Sequence, residues 1–265
     1  MNALNISIIS IVLIVLSTTI GSALVFFFKH NFSKRVSSIV MGLASGIMLS
    51  VSIFGLLLPA MEDGALYYGN LDFLPVIIGF IIGCLVLYLL DKIVPHLHQN
   101  DENLSEGYRT QKITKRTKFF LAVTMHNIPE GIAVGLAIAM AFTYNTEPYI
   151  LSALSLAVAI SIQNLPEGAA VSIPMLQDGV SKKKSFLYGF VSGLVEPIFA
   201  VLTILIAQIL PIEIMPWLLA FSAGAMIYVT VEELIPDIKI EDKYHFGMWS
   251  FIIGFLIMMT LELLL

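Results

Sequence analysis

Charged residues are scarce in this chain. Asp, Glu, Lys and Arg make up only 12% of its 265 residues, and hydrophobic residues make up 58%. In an ordinary soluble domain, charged residues account for about a quarter of the chain. The charges cluster in short breaks between uncharged runs, and a run of about 18 apolar residues is long enough to cross a bilayer core of about 30 Å. The composition therefore excludes a water-soluble globule and predicts a helical membrane protein that crosses the bilayer several times.

Other scarcities narrow the class of protein further. The chain has one cysteine, Cys84, which excludes a disulfide framework. The long runs are continuously apolar and lack the alternation of apolar and polar residues that marks a membrane β-barrel, so a barrel is excluded as well. The net charge of -5 belongs to loops and buried acids, and we expect no nucleic-acid partner.

The uncharged runs predict eight transmembrane helices and no soluble domain. The fourth, fifth and sixth runs each contain one acid, namely Glu130, Glu167 and Glu196. No basic segment or small-residue cleavage site marks the first run as a signal peptide, so we expect it to be a mature helix. The predicted spans are residues 5–28, 36–61, 73–90, 119–146, 148–174, 185–210, 214–231 and 244–264.

The positions of the cations predict the orientation of these spans. All 14 Lys and Arg residues lie in the connections after the first, third, fifth and seventh spans. The other connections carry only acids, such as Glu62, Asp63 and Glu147. Because cytoplasmic loops retain Lys and Arg, both termini are predicted to lie outside the cytoplasm. Residues 91–118 then form a cytoplasmic loop, in which His96 and His98 either capture metal or are simply solvated.

Spans four and five contain nearly the same hexapeptide. Residues 126–131 are HNIPEG and residues 163–168 are QNLPEG, a separation of 37 residues. Consecutive spans run in opposite directions, so the two copies are predicted to face each other antiparallel. This pattern is typical of inverted repeats that build a transport site from interrupted helices. Gly131 and Gly168 are expected to allow close approach of helices at this site.

Glu130, Glu167 and Glu196 are predicted to lie near the middle of the membrane. At about 1.5 Å per residue, Glu130 is about 18 Å from Lys118. Glu167 is about 16 Å from Asp178, and Glu196 is about 18 Å from Lys184. No Lys or Arg lies in any predicted span to neutralise these acids, so they must be protonated or bind a cation.

Neutral donors accompany the acids in the repeated motif. His126 and Gln163 each precede a motif glutamate by four residues and share its helix face, and Asn127 and Asn164 follow them directly. An imidazole beside carboxylates favours Zn2+ and neighbouring divalent metals over Ca2+ or Mg2+. Any one of these side chains could instead bond a neighbouring helix, but three acids and a repeated motif favour a divalent metal site. Since three carboxylates exceed the charge of one ion, two ions are a possibility. Met48 is either a thioether ligand or a packing residue.

These motifs, together with SGLVEP at residues 192–197, resemble the ZIP family of zinc and iron transporters, particularly its prokaryotic GufA-like branch. The resemblance covers the whole chain, which is expected to form one integral membrane transporter domain over residues 1–265. It implies uptake of Zn2+ into the cytoplasm, with Cd2+, Fe2+, Mn2+ and Co2+ as alternative substrates and no resident cofactor. It also implies an inverted-repeat arrangement of three, two and three spans, a homodimer, and a location in a bacterial inner membrane.

The resemblance further implies two adjacent metal sites. The first would take the two motif glutamates with His126, Gln163 and, as an additional ligand, Met48. The second would be completed by Asn127, Asn164 and Glu196. Many family members have His where this chain has Gln163, and some have Asp where it has Asn164, so both sites are expected to be weaker here.

Two other classes of function are alternatives to transport. An intramembrane zinc-dependent hydrolase would use His126 and Glu130 as ligands, but the chain lacks the His-Glu-x-x-His motif of such enzymes. A membrane receptor that senses metal would need loops or a domain for a partner, and the loops are short. We therefore expect a transporter and not an enzyme.

Overall fold

The fold is built almost entirely from long apolar helices. The computed structural model describes residues 2–27, 34–93, 96–97, 105–106, 115–238 and 245–264. Within these ranges, eight helices are long and apolar enough to cross a membrane, which confirms the predicted class and the number of spans. A short antiparallel pairing between His96–Leu97 and Ser105–Glu106 is the other regular structure that these ranges contain.

The described residues form eleven α-helices with 3-10 and π-helical segments between some of them. A 3-10 turn, Leu24–Phe26, extends α1, and π-helical segments join α2 to α3 at Val51–Leu57 and α9 to α10 at Thr230–Leu234. The α-helices in chain order are α1 (Ala3–Ala23), α2 (Lys34–Ser50), α3 (Leu58–Tyr68), α4 (Phe73–Ile93), α5 (Lys115–Tyr144), α6 (Glu147–Gln177), α7 (Lys182–Gly193), α8 (Val195–Ala207), α9 (Met215–Val229), α10 (Ile235–Asp237) and α11 (Phe246–Leu264).

Two of the spans differ from their predicted bounds. The second span continues beyond residue 61 to Leu71, because α3 follows the π-helical segment directly, with Pro59 in its first turn, and runs to Tyr68. The sixth span was predicted as one helix and is broken at Leu194 into α7 and α8. Pro197 cannot donate to the carbonyl of Gly193, so the regular bonding of the helix is interrupted there.

The loop predicted over residues 91–118 is shorter than expected at both ends. Helix α4 extends to Ile93 and α5 begins at Lys115. His96 lies in the short strand pairing, opposite Glu106. His98 lies outside the described residues, so the predictions for these histidines stay predictions.

The helices pair in a symmetric pattern. The most extensive contacts join α1 to α6, α5 to α8, α2 to α11 and α4 to α9. In terms of spans, these are the pairs 1–5, 4–6, 2–8 and 3–7. The set of pairs is unchanged by an exchange of the first three spans with the last three in order, together with an exchange of the middle two. This exchange replaces span 1 by 6, 2 by 7, 3 by 8 and 4 by 5, and the reverse. The pairing therefore has the symmetry expected of an inverted repeat of three, two and three spans.

Local features obey the same symmetry. The π-helical segments fall in the second and seventh spans, which the symmetry exchanges. Each segment follows a buried methionine whose carbonyl accepts a side-chain hydroxyl bond, from Ser52 Oγ to Met48 at 2.8 Å and from Thr230 Oγ1 to Met226 at 2.8 Å. Such hydroxyl bonds compete with regular helical bonding and are associated with helix bending.

Glycines set how closely the paired helices approach. A Cβ atom added to Gly46 of α2 would meet the backbone carbonyl of Phe251 in α11. One added to Gly83 of α4 would likewise meet the carbonyl of Phe221 in α9. Without water to drive association in a bilayer, such close backbone packing is a main source of helix affinity.

Helix α5 lies at the centre of the bundle. In its most apolar window 83% of the residues are buried, compared with 22% for the windows of α4 and α11. Helices α4 and α11 therefore lie at the periphery, whereas the side chains of α5 are enclosed by other helices. This arrangement encloses the first copy of the repeated motif in protein.

The close packing of α2 on α11 can be tested with Gly46→Ala. The added methyl group has no room beside the Phe251 backbone, so we expect a loss of about 1–3 kcal/mol in unfolding free energy. Thermal unfolding in detergent would show it as a lower midpoint. Val36→Ile also adds one carbon to α2, at a position that is 40% exposed, and should leave the midpoint unchanged. An unchanged midpoint for Gly46→Ala would contradict this packing.

Candidate metal site

The predicted ligands come from four different helices. Helix α5 carries His126, Asn127 and Glu130. Helix α6 carries Gln163, Asn164 and Glu167, α8 carries Glu196 in its first turn, and α2 carries Met48. All of them except Glu167 are buried, with at most 8% of the side chain exposed. Glu167 is half-buried, but its Oε1 atom is fully enclosed.

Two amide groups connect the acids across helix boundaries. Gln163 Nε2 on α6 donates to Glu130 Oε1 on α5 at 2.5 Å. Asn164 Nδ2 on α6 donates to the carboxylate of Glu196 on α8. These bonds connect side chains of the fourth, fifth and sixth spans.

The remaining charged groups lie close to these pairs. The carboxylate of Glu130 interacts electrostatically with those of both Glu167 and Glu196. The imidazole of His126 is near enough to Glu167 for their charges to interact. The side chains of these four residues and of Asn127, Gln163 and Asn164 are called the carboxylate–amide cluster below.

The break in the sixth span helps to position Asn127. Its Nδ2 donates to the backbone carbonyl of Ser192 at 3.1 Å, near the end of α7. The hydroxyl of Ser192 also accepts a hydrogen bond from Thr124 Oγ1 at 3.3 Å. The Asn127 side chain also hydrogen-bonds to the Glu167 carboxylate. Its Oδ1 atom has no hydrogen-bond partner and is available to a ligand.

Several oxygen atoms of the cluster have no partner of their own. An unpaired buried polar atom normally costs about 1–3 kcal/mol, and carboxylate and amide oxygens are ligands of divalent cations. A cation in the cluster would supply the missing interaction for several of these atoms at once. Six of the buried side-chain atoms without a hydrogen-bond partner belong to predicted ligands: Asn127 Oδ1, Glu130 Oε2, Gln163 Oε1, Asn164 Oδ1, Glu167 Oε1 and Glu196 Oε1.

Acids and histidine alone do not complete a ligand set in this arrangement. Among the described residues, no three His, Cys, Asp or Glu side chains are placed to hold one metal ion together. An ion therefore needs amide oxygens as additional ligands, or movement of the carboxylates away from their amide donors. Such a mixed and adjustable set suits an ion that must be released again.

No described contact places the Met48 side chain against the carboxylate–amide cluster. Helix α2 packs against α6, and the Met48 side chain is only 1% exposed. Its role as a ligand stays a prediction.

The two motif glycines pack against helices outside the motif. A Cβ on Gly131 would meet the backbone of Glu196 in α8, and one on Gly168 would meet Thr18 and Ser22 in α1. They bring α5 onto α8 and α6 onto α1, which are symmetry-related pairs. Gly131 therefore holds the backbone of Glu196 close to the first motif.

Three further acids lie within helices and were not identified from the sequence: Asp63 and Asp91 are buried, and Glu262 is half-buried. Asp63 was grouped with the acids of an outer connection, but it is only 1% exposed because α3 continues to Tyr68. Glu262 lies within the last predicted span, and its Oε1 atom accepts a hydrogen bond from Ser155 Oγ at 3.2 Å. Its position in an apolar run was the signal that could have identified it.

Comparison with known proteins agrees with these motifs. The family model described as ZIP Zinc transporter matches residues 110–262. The chain is 32% identical to Zinc transporter ZIP11 of Xenopus tropicalis, over 92% of this chain and 93% of that protein. It is 34% identical to Zinc transporter GufA of Myxococcus xanthus, over 86% of this chain and 89% of that protein. Zinc transporter ZupT of Streptococcus mutans is 32% identical, over 92% and 91% of the two chains.

The cluster as a cation site can be tested by metal-dependent stabilisation. Glu130→Gln keeps the shape of the side chain but removes a charge and a ligand oxygen. A metal at a hundred times its dissociation constant stabilises a protein by about 2.7 kcal/mol, so Zn2+ should raise the unfolding midpoint of the wild type and raise that of the variant much less. Glu213→Gln removes an exposed acid and should respond as the wild type does. Equal Zn2+ responses in all three proteins would contradict the assignment.

Proposed function

Because the chain belongs to the ZIP family of zinc transporters and carries zinc across a membrane, we propose that it moves Zn2+ into the cytoplasm through the carboxylate–amide cluster. The protein is a multi-pass membrane transporter and not an enzyme. The observation that carries the proposal is the set of unpartnered, buried oxygen atoms on Asn127, Glu130, Gln163, Asn164, Glu167 and Glu196.

The charge balance of the two motif helices supports this route. No Lys or Arg lies between residues 119 and 181, a segment that contains both motifs. Isolated buried carboxylates are costly in an apolar environment. A divalent cation offsets this cost when it enters, and the amide donors of Gln163 and Asn164 offset part of it when the cation has left.

Two neighbouring positions for ions are part of the proposal. One would use Glu130, Glu167, His126 and Gln163, with Met48 if its helix moves closer. The other would share Glu130 and Glu167 and be completed by Asn127, Asn164 and Glu196. The separate amide–carboxylate pairs, Gln163 with Glu130 and Asn164 with Glu196, support this division.

The direction of transport rests on the distribution of cations. The chain places every Lys and Arg in connections predicted to be cytoplasmic, so both termini would lie outside. Transport of Cd2+, Fe2+, Mn2+ and Co2+, assembly as a homodimer, and location in a bacterial inner membrane are further parts of the proposal. Their support is the resemblance to the family and, for the metals, the chemistry of the ligands.

The alternative functions have weaker support. A hydrolase would need a metal held by three or more fixed ligands with an open position for water, and no such group of His, Cys, Asp or Glu occurs in the part of the chain that the structure describes. A receptor that only senses metal has no support from the similar proteins, which are named zinc transporters.

The route through the cluster can be tested with Glu130→Ala and Glu167→Ala in proteoliposomes. Each variant removes a ligand and leaves the other acids without a complete set, so we expect Zn2+ flux to fall at least about tenfold, equivalent to about 1.4 kcal/mol. A fluorescent zinc indicator trapped inside the vesicles would measure it. Glu213→Ala, which alters an exposed residue, should transport normally. Wild-type flux in both cluster variants would refute the route.

The role of Gln163 in metal preference can be tested with Gln163→His. The replacement exchanges an amide for an imidazole, which binds Zn2+ much better than it binds Mn2+. We expect Zn2+ to compete more strongly with Mn2+ for uptake in the variant than in the wild type. A competition series with both metals would show this, and an unchanged ratio would mean that Gln163 does not contact the ion.

A further inference from the structure

A second acidic site lies in a cavity apart from the carboxylate–amide cluster. The cavity has a volume of about 240 Å³ and lies beside the connection between α5 and α6. Four spans contribute to its wall, which includes Glu62, Asp63, Met140, Tyr149, Ser152 and Leu219. We call this cavity the Asp63 chamber.

Asp63 is the central polar group of the chamber. Its side chain is only 1% exposed, and its Oδ2 atom has no hydrogen-bond partner. Its Oδ1 atom accepts a hydrogen bond from the hydroxyl of Tyr149 at 3.2 Å. The ring of Tyr149 stacks on Tyr144 at 4.1 Å, and the Tyr144 and Tyr67 hydroxyls are hydrogen-bonded at 3.0 Å. The carboxylate is therefore fixed in place, with one oxygen available to a ligand.

The charges around the chamber favour a cation. Two acids, Glu62 and Asp63, line it, and no Lys or Arg is among its lining residues in the described part of the chain. A third acid lies behind the wall, because the carboxylate of Glu262 is 3.3 Å from the position that a Cβ on Gly55 would take. Gly55 itself lines the chamber. A buried carboxylate without a basic partner is stabilised by a bound cation.

The size of the chamber suits an ion that keeps its water. Each water occupies about 30 Å³ in the liquid, so a shell of six waters needs roughly 180 Å³. The chamber volume of about 240 Å³ exceeds this value. Glu62, Asp63, Tyr149 and Ser152 supply the side-chain oxygens of its wall, and Asp63 Oδ1 and the Tyr149 hydroxyl are bonded to each other. About four side-chain oxygens are left, fewer than the six of a full hydration shell.

The chamber is separated from the carboxylate–amide cluster by apolar residues. On α5, Ala137 lies seven residues beyond Glu130, a rise of about 10 Å. On α6, Ser152 precedes Gln163 by eleven residues, a rise of about 16 Å. Between them lie buried apolar side chains such as Val134, Leu156 and Ile160. A fully hydrated ion cannot pass such a region without shedding water.

We propose that the Asp63 chamber binds a hydrated divalent cation through its water shell, with Asp63 as the main acceptor and Tyr149 as its positioning residue. If the proposed function is correct, an ion held here precedes the one in the cluster and loses its water on the way between them. Binding in the chamber uses hydrogen bonds from water to carboxylate, whereas binding in the cluster uses direct bonds from metal to oxygen.

Cobalt(III) hexaammine is a suitable probe of this chamber. It resembles a hexahydrated metal ion in size and in its outward N–H donors, but it does not exchange its ligands and cannot form direct bonds to the cluster. Added on the side of Asp63, it should inhibit Zn2+ uptake by the wild type. In Asp63→Asn we expect at least a tenfold higher concentration for half inhibition, and a higher KM for Zn2+ with little change in kcat.

Matched variants separate the chamber from general surface charge. Glu147→Gln removes an exposed acid two residues from Tyr149 that does not line the chamber, and it should retain wild-type inhibition by the hexaammine. Ser152→Leu fills part of the chamber without altering Asp63, and it should weaken inhibition as Asp63→Asn does. Thermal unfolding would verify that each variant is folded.

A binding measurement makes the result independent of transport. The 59Co NMR line of the hexaammine should broaden with wild-type protein and with Glu130→Ala, and much less with Asp63→Asn. Equal broadening or equal inhibition with Asp63→Asn and wild type would overturn the chamber proposal. That outcome leaves the proposed function intact, whereas normal Zn2+ flux in Glu130→Ala would refute the transport route and not the chamber.

Discussion

The rest of this structure depends on three carboxylates that lie inside a bundle of apolar helices without a Lys or Arg partner. Glu130, Glu167 and Glu196 interact with one another, and the segment that carries the first two contains no Lys or Arg. Amide donors from Gln163 and Asn164 offset part of this cost but leave oxygen atoms unsatisfied. In the proposed function a cation satisfies these oxygen atoms, and the amide donors provide an alternative set of bonds for the state without one.

The architecture supports this arrangement through symmetric helix pairs. Glycines allow the backbones of paired helices to approach, and Gly131 brings α5 against the backbone of Glu196. The break at Leu194 places Glu196 in the first turn of a new helix, where its carboxylate meets Asn164. The same break offers the Ser192 carbonyl to Asn127. Packing and site geometry are therefore inseparable in the fourth, fifth and sixth spans.

The Asp63 chamber and the carboxylate–amide cluster suit different hydration states of the proposed ion. A chamber of about 240 Å³ with few oxygen atoms suits an ion with its water shell. The cluster offers many unpartnered oxygens in a small space and suits an ion that has lost water. Since the intervening residues are apolar and buried, the ion gains its new ligands only after it has passed them. Helix α6 links both sites, because Tyr149 lies in the first turn of the helix that carries Gln163.

The sequence by itself determined the class of protein, the eight spans, the repeated motif and the presence of Glu130, Glu167 and Glu196 within the spans. These follow from hydropathy, charge and spacing, which are properties of neighbouring residues along the chain. It did not reveal the break at Leu194, the partners of the motif glycines, the bonds that link Gln163 to Glu130 and Asn164 to Glu196, or the burial of Asp63. Only the tertiary structure decided these features, because each depends on which helices pack together, and the free energy of that packing comes from contacts between residues that are distant in the chain.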